Sequence, residues 1–237
     1  MKLIIFDFDG TLGDTRRNIV KTMQMTIAEL HLPYRSEEEC ATTIGLPLYG
    51  CFETLFPELQ KEEAQLNGQQ ENVCISPAET QEKKNIIQTC ADTYRRIFKE
   101  NLQMLKPQPF PGVIETLSKL SEQGHVLTIA SSRSHASLVE LTYDMGIAAH
   151  ISYLIGADDV KEAKPSPEPV LNTLKATNFE ASQTLVVGDM AVDILMGANA
   201  GAKTCGVTWG NGTREELEQA GADYIINCME ELIEVMK

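Results

Sequence analysis

Leu3-Ile4-Ile5-Phe6-Asp7-Phe8-Asp9-Gly10-Thr11-Leu12 is the stretch that decides the fold. Four apolar residues run straight into an acid, with a second acid two residues on and then Gly-Thr. An unbroken apolar run of this length predicts a strand buried on both faces, as in a parallel sheet. Gly10 permits a turn that a side chain would resist, and Thr11 supplies a hydroxyl. The strand therefore ends by presenting Asp7 and Asp9 at its carboxyl edge, where open α/β sheets bind ligands. Asp and Gly also punctuate ordinary strand ends, so the decision rests on what the rest of the chain supplies.

Immediately outward, the rhythm is helical. Asp14 or Thr15 can cap a helix running through Ile19, Met23, Ile27 and Leu30 and ending at Pro33. Ser36 with Glu39 has the spacing of a capping box for a second, short helix. Thr43-Ile44-Gly45-Leu46-Pro47-Leu48 reads as a loop, followed by Phe52, Leu55 and Phe56 on another helical face. Residues 57 to 80 are rich in Gln, Glu and Asn, which suits a solvated helix with loops or a mobile segment. A further helix is expected from Ala78 to Leu102, and three prolines and a glycine between Lys106 and Gly112 then break the pattern.

Beyond that hinge, strand and helix alternate. His125–Ala130, Tyr153–Gly156, Thr184–Val187, Lys203–Val207 and Tyr224–Ile226 read as strands, with helices between them. Lys164-Pro165 is expected to open one of these helices, and Val192–Ala200 to form another. The alternation predicts an α/β fold with a doubly wound parallel sheet. Residues 1–13 and 107–237 form its core, and residues 14–106 an inserted all-helical domain.

Composition narrows the partners. A formal charge of −14 over 237 residues argues against nucleic acid or an anionic membrane surface. No apolar run approaches the roughly 20 residues that span a bilayer, and Met1-Lys2 leads directly into the first strand. A cytoplasmic location is the expectation. The six cysteines lack C-x-x-C spacing, which fits reduced thiols better than a disulfide framework or a zinc site. His31, His125, His135 and His150 have no partners at ligand spacing and read as structural, as do Asp158 and Asp159 in a solvated loop. Trp209 reads as packing, and Arg133 as a possible substrate contact. A monomer and a homodimer both suit the apolar helical faces.

Three further strand ends stand beside the first. Ser131 follows a strand, Lys164 precedes Pro165, and Gly188-Asp189 with Asp193 follows another strand. In this order, Asp7-Phe8-Asp9-Gly10-Thr11, Ser131, Lys164 and the Asp189/Asp193 pair resemble the four motifs of the haloacid dehalogenase-like hydrolases. The likeness covers most of the chain and is closest to the branch holding phosphoglycolate phosphatases and β-phosphoglucomutases. It implies a Rossmann-like core and a helical cap inserted between the first two motifs.

The chemistry suits those residues. A phosphate monoester dianion repels an approaching carboxylate, so a divalent cation must sit between them. Mg²⁺ suits an all-oxygen site. Asp7 is the expected nucleophile, forming an aspartyl-phosphate, and Asp9 the expected acid and base. Asp7 and Asp189 are the expected carboxylate ligands, with Asp193 either a ligand or a holder of metal-bound water. The resemblance adds the main-chain carbonyl of Asp9. Gly10, Thr11, Ser131 and the neighbouring Ser132 are expected around the phosphoryl oxygens, with Lys164 supplying fixed positive charge. Gly45-Leu46-Pro47 resembles a cap loop that meets the substrate in the phosphatases. Thr42–Leu48 lacks the arginine that a mutase uses to grip a second phosphate. The expected activity is thus hydrolysis of a small phosphorylated metabolite, with mutase chemistry or a non-catalytic binding role as the alternatives.

Overall fold

In the computed structural model, which describes residues 2–57 and 77–237, the chain begins with β1 (Leu3–Phe6), whose four side chains are wholly buried. A short β2 (Gly13–Asp14) follows, then α1 (Arg16–Glu29), α2 (Glu37–Ala41), α3 (Leu48–Leu55), α4 (Pro77–Asn101) and a short β3 (Gln108–Pro109). From there helix and strand alternate through α5 (Val113–Glu122), β4 (Val126–Ala130), α6 (His135–Asp144) and β5 (Tyr153–Ile155). The chain continues as α7 (Glu168–Thr177), β6 (Thr184–Gly188), α8 (Ala191–Asn199) and β7 (Lys203–Val207). It closes with α9 (Arg214–Gln219), β8 (Tyr224–Ile226) and α10 (Leu232–Val235).

Six strands form one parallel sheet in the order β5-β4-β1-β6-β7-β8. Leu3 lies opposite Val126 on one side and Thr184 on the other, and Phe6 opposite Ile129 and Val187. Because β1 is central and covered on both faces, every residue of it can be apolar, which is what its sequence provides. On one face Leu3 and Ile5 pack with Ala130, Val170, Val186 and Met196. Burying each such side chain contributes roughly 2 kcal/mol before ordering costs are subtracted. The chain leaves β1 towards β4 but leaves β6 towards β7. The direction of winding therefore reverses between β1 and β6, and a crevice opens at their carboxyl ends. This is a doubly wound, Rossmann-like α/β core.

The chain divides into two compact units, Met1–Arg16 with Pro107–Lys237, and Arg17–Lys106. Among the described residues the second unit is all-helical. Phe52 of α3 meets Tyr94 of α4 edge to face, and Tyr94 stacks on Phe98. Asn101 donates to Thr22, and Asn18 to the carbonyl of Leu105, so buried polar groups tie α1 to the chain around the end of α4. Ser36 and Glu39 close a reciprocal capping box at the start of α2. The polar segment read between residues 57 and 80 lies, but for its ends, outside the described residues.

Several local expectations are revised. Asp14 belongs to β2, which pairs antiparallel with β3 where the chain enters and leaves the helical insert. Thr15, immediately before α1, donates its hydroxyl to Asp9 at 2.6 Å. The helix after Lys164 starts only at Glu168, because Pro165 and Pro167 hold the intervening residues in turns. Asp158 and Asp159 are not simply solvated. Asp158 accepts from the backbone N–H of His135 at 2.6 Å, and Asp159 from that of Gly156 at 2.8 Å. Asp159 also lies 2.7 Å from His135 Nδ1, so that histidine has an acidic partner after all.

Candidate active site

Asp7 is the first residue beyond β1, and its N–H still bonds to the carbonyl of Val187 at 2.8 Å. That bond extends the ladder by one residue and fixes the acid at the crevice between β1 and β6. Asp189 stands one residue beyond β6, and Asp193 sits in the first turn of α8. One carboxylate oxygen from each of the three lies within 4.8 Å of the others, and all three residues are buried. Lys164 donates to Asp7 and to Asp193, each at 2.6 Å. The competing Lys161 makes no such contact; its backbone N–H bonds to Glu168.

The charges do not balance. Three buried carboxylates share one ammonium, because Arg133 is committed elsewhere. Burial raises the proton affinity of Asp7 well above the ordinary carboxylate range, against the pull of Lys164 and with the help of Asp193 and Asp189. Burial, seconded by Asp193, lifts Asp189 to about 6. Burial alone would make Lys164 easier to deprotonate, yet Asp193 and Asp7 outweigh it and hold the ammonium more firmly than usual. Two excess negative charges in one buried cluster suit a divalent cation, and an all-carboxylate donor set suits a hard one. The residues present therefore fit a metal such as Mg²⁺.

Asp9 has a different setting. Arg133 forks onto its carboxylate, with Nε 2.9 and 2.7 Å from the two oxygens and Nη2 2.7 Å from Oδ1. Thr15 adds a fourth hydrogen bond at 2.6 Å. Such a bidentate pair is short, directional and sparing of water. Both side chains are 11% exposed. Arg133 thus contacts Asp9, a role its sequence position beside Ser131 did not suggest.

The remaining expected residues fall at the same strand ends or in the helical unit. Thr11 donates to Asp189 Oδ1 at 3.1 Å. Gly10 adopts φ +90°, and a Cβ there would overlap the carboxylate of Asp189, so no larger residue fits. Ser131 directly follows β4, is buried, and accepts from the N–H of Arg133 at 3.3 Å. Ser132 follows it, half-buried. Gly45 and Leu46 lie in the loop between α2 and α3, with Gly45 at φ +95° and Leu46 at the surface.

Sequence reasoning missed Asn211. It donates to Asp189 Oδ2 from its backbone at 2.7 Å and from its side chain at 3.0 Å. The signal was present in Trp209-Gly210-Asn211-Gly212, a glycine-flanked turn beyond a parallel strand. Trp209 packs edge to face on Phe110, and it also donates to the carbonyl of Thr11 at 3.1 Å.

The model of the haloacid dehalogenase-like hydrolase family matches residues 4–207, and the chain belongs to that family. The probable phosphatase IndB of Dickeya dadantii is 32% identical over 98% of this chain and 91% of its own. The phosphoglycolate phosphatase of Aquifex aeolicus is 25% identical over 100% of this chain and 97% of its own. A crystal structure described as a predicted phosphoglycolate phosphatase from Haemophilus somnus superposes with a TM-score of 0.83 at 23% identity. It covers 100% of this chain and 98% of that one, a likeness of fold. The chain is therefore an enzyme of the hydrolase class, with relatives named as phosphatases. No helix among the described residues is long and apolar enough to cross a membrane.

Proposed function

We propose that the protein is a Mg²⁺-dependent phosphomonoesterase that acts on a small phosphorylated metabolite through an aspartyl-phosphate at Asp7. The observation that carries this reading is the shared lysine: Lys164 holds Asp7 and Asp193 together, with Asp189 in reach. Asp7 attacks phosphorus while the bond from phosphorus to the leaving oxygen breaks, and Asp9 gives that oxygen a proton. Water then attacks the acyl phosphate, Asp9 takes its proton, and inorganic phosphate leaves as Asp7 is regenerated.

Lys164 keeps a positive charge beside the nucleophile throughout, which offsets the repulsion between Asp7 and a dianionic phosphoryl group. A bound Mg²⁺, held by Asp7, Asp189, Asp193 and the Asp9 carbonyl, supplies further charge neutralisation. Ser131, Ser132, Thr11 and the backbone at Gly10 bind the phosphoryl oxygens. Arg133 and Thr15 occupy the carboxylate oxygens of Asp9, so the first step requires that fork to loosen when substrate arrives.

Residues 14–106 serve as the cap that selects the substrate, with Gly45 and Leu46 meeting it. Phosphoglycolate is the first substrate to test, on the resemblance to phosphoglycolate phosphatases. Mg²⁺-dependent release of phosphate from p-nitrophenyl phosphate and phosphoglycolate tests the activity. Acid-quench mass mapping tests the intermediate, and a phosphorylated residue other than Asp7 would overturn the assignment.

A further inference from the structure

Asp189 is the acid of the cluster whose carboxylate is most completely held by groups outside it. Thr11 occupies Oδ1, and Asn211 places two donors on Oδ2. The Asn211 amide is itself oriented, because Arg16 Nη1 donates to its Oδ1 at 3.3 Å and so turns the NH₂ group towards Asp189. The turn carrying Asn211 is pinned at Trp209 through the carbonyl of Thr11. A Cβ on Gly210 would overlap Asp189, so the turn's backbone lies directly against the acid. Three donors on one side chain leave its carboxylate a single orientation.

We infer that Asn211 is a positioning residue of the metal centre. It presets Asp189 so that a divalent cation meets an ordered ligand and need not immobilise one, and Arg16 supports it by fixing the amide. This inference rests on the metal reading given above. Partners that orient a ligand from behind typically change metal affinity roughly 10–100-fold when removed. The cost of an unset ligand falls on binding, not on the chemistry that follows.

Isothermal titration with Mg²⁺ alone, on the full-length protein without substrate, tests it. Asn211→Ala raises Kd roughly 10–100-fold. Arg16→Met, a change at an exposed position, raises it by less and in the same direction. The Mg²⁺ concentration for half-maximal phosphate release rises by the same factor, and the rate deficit narrows as Mg²⁺ is raised. A Kd unchanged in Asn211→Ala overturns the inference, as does a rate deficit that no Mg²⁺ concentration relieves. If Asn211→Ala fails to fold, an unchanged Kd in Arg16→Met overturns it alone. Absence of Mg²⁺ binding by the wild-type protein is a different failure, since it removes the metal reading itself.

Discussion

Both units of this protein bury polar side chains, but they do so for opposite ends. In the helical unit the buried polar groups are neutral: Asn101 meets Thr22, and Thr26 bonds back to the carbonyl of Thr22. Each hydrogen bond there replaces one lost to water, and the aromatic packing of Phe52, Tyr94 and Phe98 supplies the stability. The α/β unit buries neutral hydroxyls too, such as Thr128 and Thr173, but among the described residues it alone buries carboxylates, and Asp7, Asp189 and Asp193 outnumber the one ammonium, Lys164, that bonds to Asp7 and Asp193. A pocket of this kind destabilises the fold that contains it unless something positive enters. Excess buried charge is therefore what sets the candidate site apart from the packed helical unit.

Removing the proposed nucleophile should separate the two regions most sharply. Asp7→Asn is expected to lower turnover of p-nitrophenyl phosphate by on the order of 10⁴-fold or more, while far-UV circular dichroism stays that of the wild type. Retention of more than about a hundredth of the rate would assign the nucleophile elsewhere. Next in size is a cavity in the helical unit. Phe52 is fully buried, and Phe52→Ala should cost about 3–5 kcal/mol in denaturant unfolding. If that substitution altered Mg²⁺ affinity as strongly as stability, the division between packed and reactive regions would fail.

The sequence made some of this contrast legible and hid the rest, for a physical reason. Leu3–Phe6 announces a central parallel strand because burial on both faces removes every polar residue from it. Ser36 and Glu39 announce a helix start because the capping box closes within four residues. The acids at strand ends were legible for the same local reason. Arg133 and Asn211 were not, because their partners are far away in sequence. Arg133 reaches Asp9 across 124 positions, and Asn211 reaches Asp189 across 22. The pairing of β2 with β3 was hidden too, since two-residue strands are too short to show a period.

The charge imbalance also predicts how stability responds to pH. Asp189 keeps its proton to about 6 in the folded chain, whereas its ordinary value is 3.8. Between those values the folded state binds more protons than the unfolded state. Stability of the metal-free protein should therefore fall as pH rises through this window, and Asp7, also raised, extends the fall upward. Thermal melts in chelator and in Mg²⁺ check this. The stabilisation by Mg²⁺ should be small near about pH 4 and grow as pH rises, since protons and metal compete for the same oxygens. Equal Mg²⁺ stabilisation at both ends of the window would show that these acids are not the ligands.

The smallest expected effect lies in the loop between α2 and α3, and it tests whether the helical unit takes part in recognition at all. Cys51 and the turn geometry at Gly45 hold this loop's backbone, leaving Leu46 at the surface. A residue held in place but exposed can change without loosening the fold, so Leu46→Lys should leave the melting temperature nearly untouched. If the loop meets the substrate, the ratio of kcat/KM for phosphoglycolate to that for p-nitrophenyl phosphate should shift by roughly tenfold, the scale of one pocket contact. Mg²⁺ affinity, which the proposed ligand set would fix in the other unit, should stay within about twofold of wild type, because those acids and their supports are untouched. A uniform loss on both substrates together with weakened Mg²⁺ binding would place this loop's influence on the metal centre and leave substrate choice to other residues of the insert.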